Sequence, residues 1–448
     1  MRRRTLLLAV ILLAAGACTE SDLTITIDRP ADRTVEGGPA PDAEDADAVA
    51  TLALQDLEAY WADAMLEVYG TRFEPLRGGY LPYGPGTPLP SCGQQALDYE
   101  LVAENALYCP FEDYIAWDRT TLLPDLQARF GPLTVGMVMA HEFAHAVQNR
   151  ADTEGAAVTL ELQADCFAGA WVADVDDRLD TFSTGGDALD EAVAGLLELR
   201  DTLGVPGYAP VAHGSGFDRV SAFQDGYEGG PQVCAAFEQE PPTVVAIPFG
   251  SLDDEISGGN LPLEELVDPL VLDLESFFDE VFAGAGQDWE PVRGIELFDP
   301  ADGPIRCGDD EVAGDELVDA AFHCAADGTH YLDGANLVPA LEEIGDFAFG
   351  GEVARLHAFA AQDQLGLGTG DPEAEGLHAD CFAGAYAGAE FAGAVPDQQL
   401  QLSPGDLDEV IIAFLAFGGE GEATAFERTA AFRDGFLAGV TACPAYLR

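Results

Sequence analysis

Residues 134–149, TVGMVMAHEFAHAVQN, form the stretch that decides the fold. Within this stretch, the residues before His141 are almost all apolar, which predicts a long buried helix. His141 and His145 are four residues apart, so on that helix they lie on one face, one turn apart. Two imidazoles placed in this way can bind one metal ion. Glu142, one position round the helix, can take a proton from a water molecule at that ion.

A carboxylate on the next predicted helix, residues 156–175, supplies a third ligand. Glu161 lies sixteen residues after His145, and Asp165 follows one turn later. Two histidines and one glutamate leave the fourth position of a tetrahedral zinc ion open, as hydrolysis requires. Asp165 can accept a hydrogen bond from the other ring nitrogen of a ligand histidine. The alternative is that both acids are solvated, although core-type residues surround them.

These two segments resemble the HExxHxxQ and ELQADC motifs of the bacterial neutral zinc metallopeptidase family, a family of gluzincins, whose third zinc ligand is a glutamate. The likeness spans nearly all of the first half of the chain. The further matching positions are Ser91, Cys92, Gly93, Tyr108, Cys109, Pro110, His213, Gly214, Ser215, Arg219, Phe223, Gly226 and Cys234.

The resemblance implies one zinc ion bound by His141, His145 and Glu161, with Glu142 as the general base. It also implies that His213 stabilises the oxyanion that forms from the substrate carbonyl. The alternative for His213 is a loop histidine beside a glycine, without a catalytic role. The implied substrate is a peptide or protein.

Cysteine spacing indicates an internal duplication. Three cysteines recur after 215 residues, a fourth recurs after 209, and residues 164–170, ADCFAGA, return unchanged as residues 379–385. We therefore expect two copies of one domain, at 49–240 and 264–448, joined by a linker at 241–263. An even number of cysteines in an exported protein favours disulfides, and a bond within one copy should have its counterpart in the other. The expected pairs are Cys92–Cys109, Cys166–Cys234, Cys307–Cys324 and Cys381–Cys443.

The second copy departs from the first at the chemical positions. An alignment that places His357 opposite His141 leaves alanine or glycine at the other ligand and base positions and Glu422 opposite His213. We expect this copy to be inactive, with a structural or recruiting role. We also expect His357 to contact Asp380, the counterpart of Asp165.

The N-terminus predicts export. Three arginines precede a short apolar stretch, and small residues lead into Cys18, as in a bacterial lipobox. We expect a signal peptide at 1–18, lipidation of Cys18 and a flexible acidic tether at 19–48. The protein would then be a cell-envelope lipoprotein, on the outer face of the membrane or in the periplasm, with the membrane as a partner through its anchor; otherwise it is secreted.

Composition excludes some partners. The chain has 448 residues and a formal net charge of −62, and every basic side chain is an arginine. So acidic a surface repels phosphate backbones, and we expect no nucleic-acid partner.

The expected fold class is α+β and predominantly helical, with two tandem zincin-like (gluzincin) domains and short β and loop segments. The expected function is zinc-dependent peptide-bond hydrolysis by the first domain. The alternative is a non-catalytic surface lipoprotein whose tandem domains bind a partner.

Overall fold

A computed structural model describes residues 45–447, apart from residues 177, 186, 207–208, 210–211 and 419–422. The predicted signal peptide, Cys18 and nearly all of the predicted tether lie outside the described residues, as does Glu422. The described chain forms two compact units, residues 45–246 and 247–447. None of its described helices is both long enough and apolar enough to cross a membrane.

The first unit is a set of helices with one small sheet. Its elements are α1 (Ala46–Tyr69), β1 (Gly79–Tyr83), α2 (Tyr99–Val102), β2 (Ala106–Cys109), β3 (Tyr114–Asp118), α3 (Leu122–Ala151), α4 (Ala157–Val175), α5 (Ala188–Glu198), α6 (Gly216–Gly229) and α7 (Pro231–Ala236). The three strands have the order β1-β3-β2, in which β1 pairs with β3 in parallel and β2 pairs with β3 antiparallel.

The second unit has the same kind of architecture. Its elements are α8 (Leu252–Ser257), α9 (Leu263–Gly284), β4 (Gly294–Phe298), β5 (Ile305–Cys307), β6 (Asp310–Val312), β7 (Ala321–Cys324), β8 (Thr329–Asp333), α10 (Leu337–Ile344), α11 (Asp346–Leu365), α12 (Pro372–Phe391), α13 (Asp406–Ala416) and α14 (Ala425–Ala438). Its main sheet has the order β4-β8-β7, again with one parallel and one antiparallel pairing. The expected α+β, predominantly helical class is confirmed.

The helix that carries the two histidines is the second half of α3. Gly131 interrupts the helical backbone with φ 76° and ψ 177°, and Pro132 begins the next helical stretch. The positive φ favours glycine, and a Cβ at Gly131 would lie 2.6 Å from Oε2 of Glu191. Proline suits the first position of a helix because it has no N–H to leave unpaired. The helix expected over 134–149 therefore extends to Ala151 and begins at this kink.

Helices α4 and α6 cross in backbone contact. A Cβ at Gly169 would lie 2.0 Å from the carbonyl oxygen of Phe223, and one at Gly226 would lie 1.7 Å from that of Cys166. No side chain fits at either position, so the two glycines set the distance between the helices. This close approach brings α6 beside Asp165.

Each unit contains two disulfides. They join Cys92 to Cys109, Cys166 to Cys234, Cys307 to Cys324 and Cys381 to Cys443. The second of these bonds ties α4 to α7, one residue beyond Asp165. Disulfides persist in oxidising compartments, so four of them indicate an exported protein.

Asp118 fixes the entry of the chain into α3. Although burial opposes its charge, hydrogen bonds from Thr120, Thr121 and the backbone N–H of Glu104 hold the pKa of this carboxyl well below its usual range. A further hydrogen bond comes from the hydroxyl of Tyr99. The carboxylate thus joins β3 to the start of α3.

We expect Asp118→Asn to lower the free energy of unfolding by about 1–3 kcal/mol at pH 7, because the NH2 group of the asparagine would face N–H and O–H groups that now donate to a carboxylate oxygen. Since the folded pKa lies below the usual aspartate value of 3.8, the carboxylate's contribution to stability is present above pH 3.8 and is lost as the pH falls toward the folded pKa. Urea denaturation at several pH values measures both effects. Asp63→Asn, at an exposed position on α1, is the control; equal stability of the two variants at pH 7 contradicts this account.

Candidate metal centre

Three side chains from α3 and α4 converge in the first unit. The Nε2 atoms of His141 and His145 are 3.2 Å apart. Oε2 of Glu161 lies 3.2 Å from Nε2 of His141 and 3.5 Å from Nε2 of His145. The histidines come from one face of α3, as their spacing predicts, and Glu161 reaches them from α4. Each residue therefore presents one ligand atom to a common point.

The spacing of these three atoms fits a zinc ion. Nitrogen and oxygen ligands lie about 2.0–2.1 Å from zinc, and two such ligands at a tetrahedral angle are about 3.3 Å apart. The observed separations of 3.2, 3.2 and 3.5 Å are the edges of such a tetrahedron. The donor set is also one that zinc prefers, and it leaves the fourth vertex for a substrate or water.

The outward nitrogen of His141 is held by an anchored carboxylate. Its Nδ1 donates to Oδ1 of Asp165 over 2.8 Å. Arg219 of α6 donates to both oxygens of Asp165, over 2.8 and 2.9 Å, and also to the carbonyl of Leu199. Asp165 is 1% exposed and Arg219 is 4% exposed, so this ion pair is screened from water. The pair fixes the tautomer of His141 that directs Nε2 to the metal position.

Gln148 orients the ring of His145. Nδ1 of His145 donates to Oε1 of Gln148 over 2.9 Å, while Nε2 of Gln148 donates to the carbonyl of Leu160 and to Oε1 of Gln163. Because Gln163 donates in turn to the carbonyl of Cys234, the chain of hydrogen bonds reaches α7. Gln148 is the glutamine of the HExxHxxQ motif, and the sequence analysis assigned it no role. Its spacing of three residues from His145 was the available signal.

Electrostatics prepares the site for a cation. Although burial opposes protonation, Asp165 and Glu161 raise the pKa of His141 to about 10, and Glu161 raises that of His145. Burial also opposes the charge of Glu161, yet the two histidines hold its pKa well below its usual range. Without metal, both ring nitrogens of His141 therefore carry a proton at neutral pH, and a bound zinc ion would displace the proton on Nε2.

The two expected catalytic residues lie outside this triad. Glu142 follows His141 on α3 and is 9% exposed. His213 lies in the loop before α6, where its Nδ1 and its backbone N–H both donate to Asp201. No hydrogen bond or ion pair within the described chain joins His213 to the three ligand atoms. A Cβ at Gly214 would lie 3.2 Å from Cδ2 of Leu162, so the loop is packed against α4.

Residues 5–237 match a family described as "Putative neutral zinc metallopeptidase". The chain belongs to this family. Membership implies zinc as the metal of the triad.

Three relatives of this chain are uncharacterized proteins, one from Mycobacterium bovis and two from strains of Mycobacterium tuberculosis. Each is 32% identical over 160 residues, which cover 29% of this chain and 54% of the relative. The chain thus spans about half the length of these curated relatives. No solved structure matches it significantly.

In the second unit, an arginine pairs with the carboxylate that we expected His357 to contact. Nε of Arg355 on α11 lies 3.1 Å from Oδ1 of Asp380, and Arg428 of α14 donates to both oxygens of that carboxylate. His357 contacts His330 and the carbonyl of Val353 instead. The expected contact between His357 and Asp380 is therefore wrong.

The alignment of this helix was displaced by two residues. Gln362 donates to the carbonyl of Glu375 as Gln148 donates to that of Leu160, which places Arg355 opposite His141. By the same register Leu356 stands opposite Glu142 and Phe359 opposite His145.

We expect Gln148→Leu to weaken zinc binding by about 10–100-fold, because His145 loses the acceptor that orients its ring. Zinc dissociation constants measured by competition with a chromophoric chelator test this. Asn149→Ala, on the exposed side of the same helix turn, is the matched control. Equal zinc affinity of the two variants would remove Gln148 from the site.

Proposed function

We propose that the first unit is a zinc-dependent peptidase and that the chain contains a second, inactive copy of the same domain. One observation carries the proposal: three ligand atoms at tetrahedral spacing, with the distal nitrogens of both histidines held by Asp165 and Gln148. Such an arrangement with an open fourth position is typical of hydrolytic rather than structural zinc. The proposed ligands are His141, His145 and Glu161, for one ion per chain.

A zinc ion bound there supplies a Lewis acid that polarises a peptide carbonyl and lowers the pKa of a water molecule. Glu142 takes the proton of the attacking water as the new C–O bond forms. It then delivers that proton to the amine nitrogen as the C–N bond breaks. The products are a carboxylic acid and a free amine.

His213 is the proposed stabiliser of the oxyanion. Asp201 holds its Nδ1 at 3.0 Å and its backbone N–H at 2.7 Å, so the ring has a fixed direction and Nε2 is the nitrogen left for a substrate. The packing of Gly214 against Leu162 brings the loop to α4 one residue beyond Glu161. Its proposed role is to donate a hydrogen bond from Nε2 to the substrate oxygen.

Three kinds of observation support a duplication with an inactive second copy. Both units have the same strand order in the main sheet, the same helix crossing with a glycine on each helix, and the same disulfide pairs. At the position of the metal, however, the second unit has a guanidinium group. A Cβ at Gly376, opposite Glu161, would lie 3.5 Å from Nη2 of Arg355. In the proposed duplication, Arg355 would thus take the place of the ligand His141, and its permanent positive charge would take the place of the metal ion.

The remaining proposals concern location and partners. The substrate is a peptide or protein, the second copy has a structural or recruiting role, and lipidation of Cys18 anchors the chain to a membrane. A cavity of about 520 Å³ beside Arg355, lined in part by Leu337, Leu341 and Phe414, supports recruitment.

The test separates chemistry from metal binding. We expect Glu142→Gln to keep one zinc per chain and to lose hydrolysis of casein or a peptide library by about 10²–10⁴-fold, because only the proton acceptor is removed. His145→Ala should lose both zinc and activity. Metal analysis by mass spectrometry and a peptide digest measure the two properties.

Glu154→Gln, an exposed change of the same kind in the loop after α3, is the control. Full activity in Glu142→Gln protein would overturn the mechanism. Retention of zinc in His145→Ala protein would overturn the proposed ligand set.

A further inference from the structure

Three buried carboxylates meet in the second unit, far along the sequence from the zinc ligands. Asp346 begins α11, Asp406 begins α13, and Glu409 lies one turn into α13. One oxygen of each side chain lies within 4.8 Å of the others. Their exposed fractions are 9%, 4% and 5%. So dense a group of buried acids either stays protonated or binds a cation that compensates its charge.

Backbone N–H groups hold the cluster in place, and each donates to one of the two oxygens of a carboxylate. Oδ2 of Asp346 accepts from Leu261, Oδ2 of Asp406 accepts from Ser403, and Oε2 of Glu409 accepts from Phe347.

The other oxygens are not satisfied in this way. Oδ1 of Asp346 and Oδ1 of Asp406 are buried and have no hydrogen-bond partner within the described chain. Buried acceptors are almost always paired, so two unpaired oxygens from two helices point to a missing ligand between them.

The charges of the cluster work against one another. Burial raises the pKa of Asp346 to about 6 and that of Glu409 to about 8, and it raises that of Asp406 well above its usual range; neighbouring acids add to all three shifts. The two helix N-termini offset part of this repulsion. A metal cation would offset it more fully.

The first unit has only one of these three acids. Glu191 lies beneath Gly131 as Glu409 lies beneath Gly345: a Cβ on either glycine would meet the carboxylate, at 2.6 Å and 2.0 Å respectively. The residues that begin the two corresponding helices are Pro132 and Ala188, where the second unit has Asp346 and Asp406. The shared helix junction thus needs one glutamate, and the packing does not account for the two added aspartates.

We propose that Asp346, Asp406 and Glu409 bind a calcium ion. Calcium takes oxygen ligands at about 2.3–2.6 Å, so two ligands of one ion are at most about 4.6–5.2 Å apart, in agreement with the cluster. Magnesium demands a tighter octahedron and usually keeps several waters with one or two carboxylates. Three carboxylates with two unpaired oxygens therefore fit calcium better. This site is independent of the zinc peptidase activity.

The full-length chain, stripped of metal and reloaded with zinc, tests the proposal by calorimetric titration with calcium chloride. Excess magnesium in both solutions suppresses weak binding to surface acids. We expect one calcium ion per chain and a rise in Tm, with at least about tenfold weaker calcium binding in Asp406→Asn. Asp253→Asn, an exposed acid on α8, is the matched control and should bind as the unchanged chain does.

Stability gives a second readout with its own sign. Calcium should raise the Tm of the unchanged chain by more than that of Asp406→Asn, because the variant has lost one ligand of the bound ion. Absence of calcium binding by the unchanged chain overturns the proposal, as does equal calcium affinity in Asp406→Asn. Binding of magnesium as tight as that of calcium would overturn the choice of ion. Zinc content and peptide hydrolysis, measured in parallel, keep this result separate from that of the peptidase proposal.

Discussion

Asp165 accepts two hydrogen bonds from Arg219 on α6 and one from His141 on α3, so a single carboxylate joins three helices of the first unit. A charge this deeply buried is tolerated only when it is fully paired. Removal of the guanidinium would leave the carboxylate with only the hydrogen bond from His141, and removal of the carboxylate would release both the arginine and the histidine. The direction of His141, and through it the position of the metal, follows from this pair. The Cys166–Cys234 bond and the crossing of α4 with α6 hold the partners at that distance.

The second unit solves the same electrostatic problem with other groups. Asp380 is as buried as Asp165, and Arg428 pairs with it as Arg219 pairs with Asp165. The third partner is Arg355, whose charge is permanent. An arginine needs no metal to remain positive, so the carboxylate stays compensated at any physiological pH. If the second unit is the inactive copy that we propose, this exchange has kept the helix packing and removed the metal ligand.

The sequence predicted the site well where spacing alone decides geometry. His141 and His145 share a helix face because they are four residues apart, and Glu161 and Asp165 follow by the same rule on the next helix. The family match then supports zinc without identifying the substrate. The long helix was also predicted, but its kink was not, because the sequence pattern does not reveal the positive φ that Gly131 adopts before Pro132.

Within the proposed duplication, the alignment of α11 was wrong for a physical reason. His357 was matched to His141 because the residue type was the same, whereas position in the structure follows from the partner of Asp380. A guanidinium can take the place of an imidazole with its metal, which no comparison of residue types indicates. The carboxylate cluster of the second unit was not predicted either, since Asp346 and Asp406 are 60 residues apart and come together only where two helix N-termini meet.

The glycines at the helix crossings carry a different kind of information from the ligands. In the first unit Gly226 faces the carbonyl of Cys166, and in the second Gly435 faces that of Cys381, each with no room for even a methyl group. This restriction is purely steric and takes no account of whether a metal is bound nearby. Substitution can therefore exchange ligands for arginine, phenylalanine or glycine, as the proposed duplication implies at Arg355, Phe359 and Gly376, while the glycines of the crossings remain. Under the proposed function, chemistry constrains the ligands of the first unit, whereas packing alone constrains the glycines of both units.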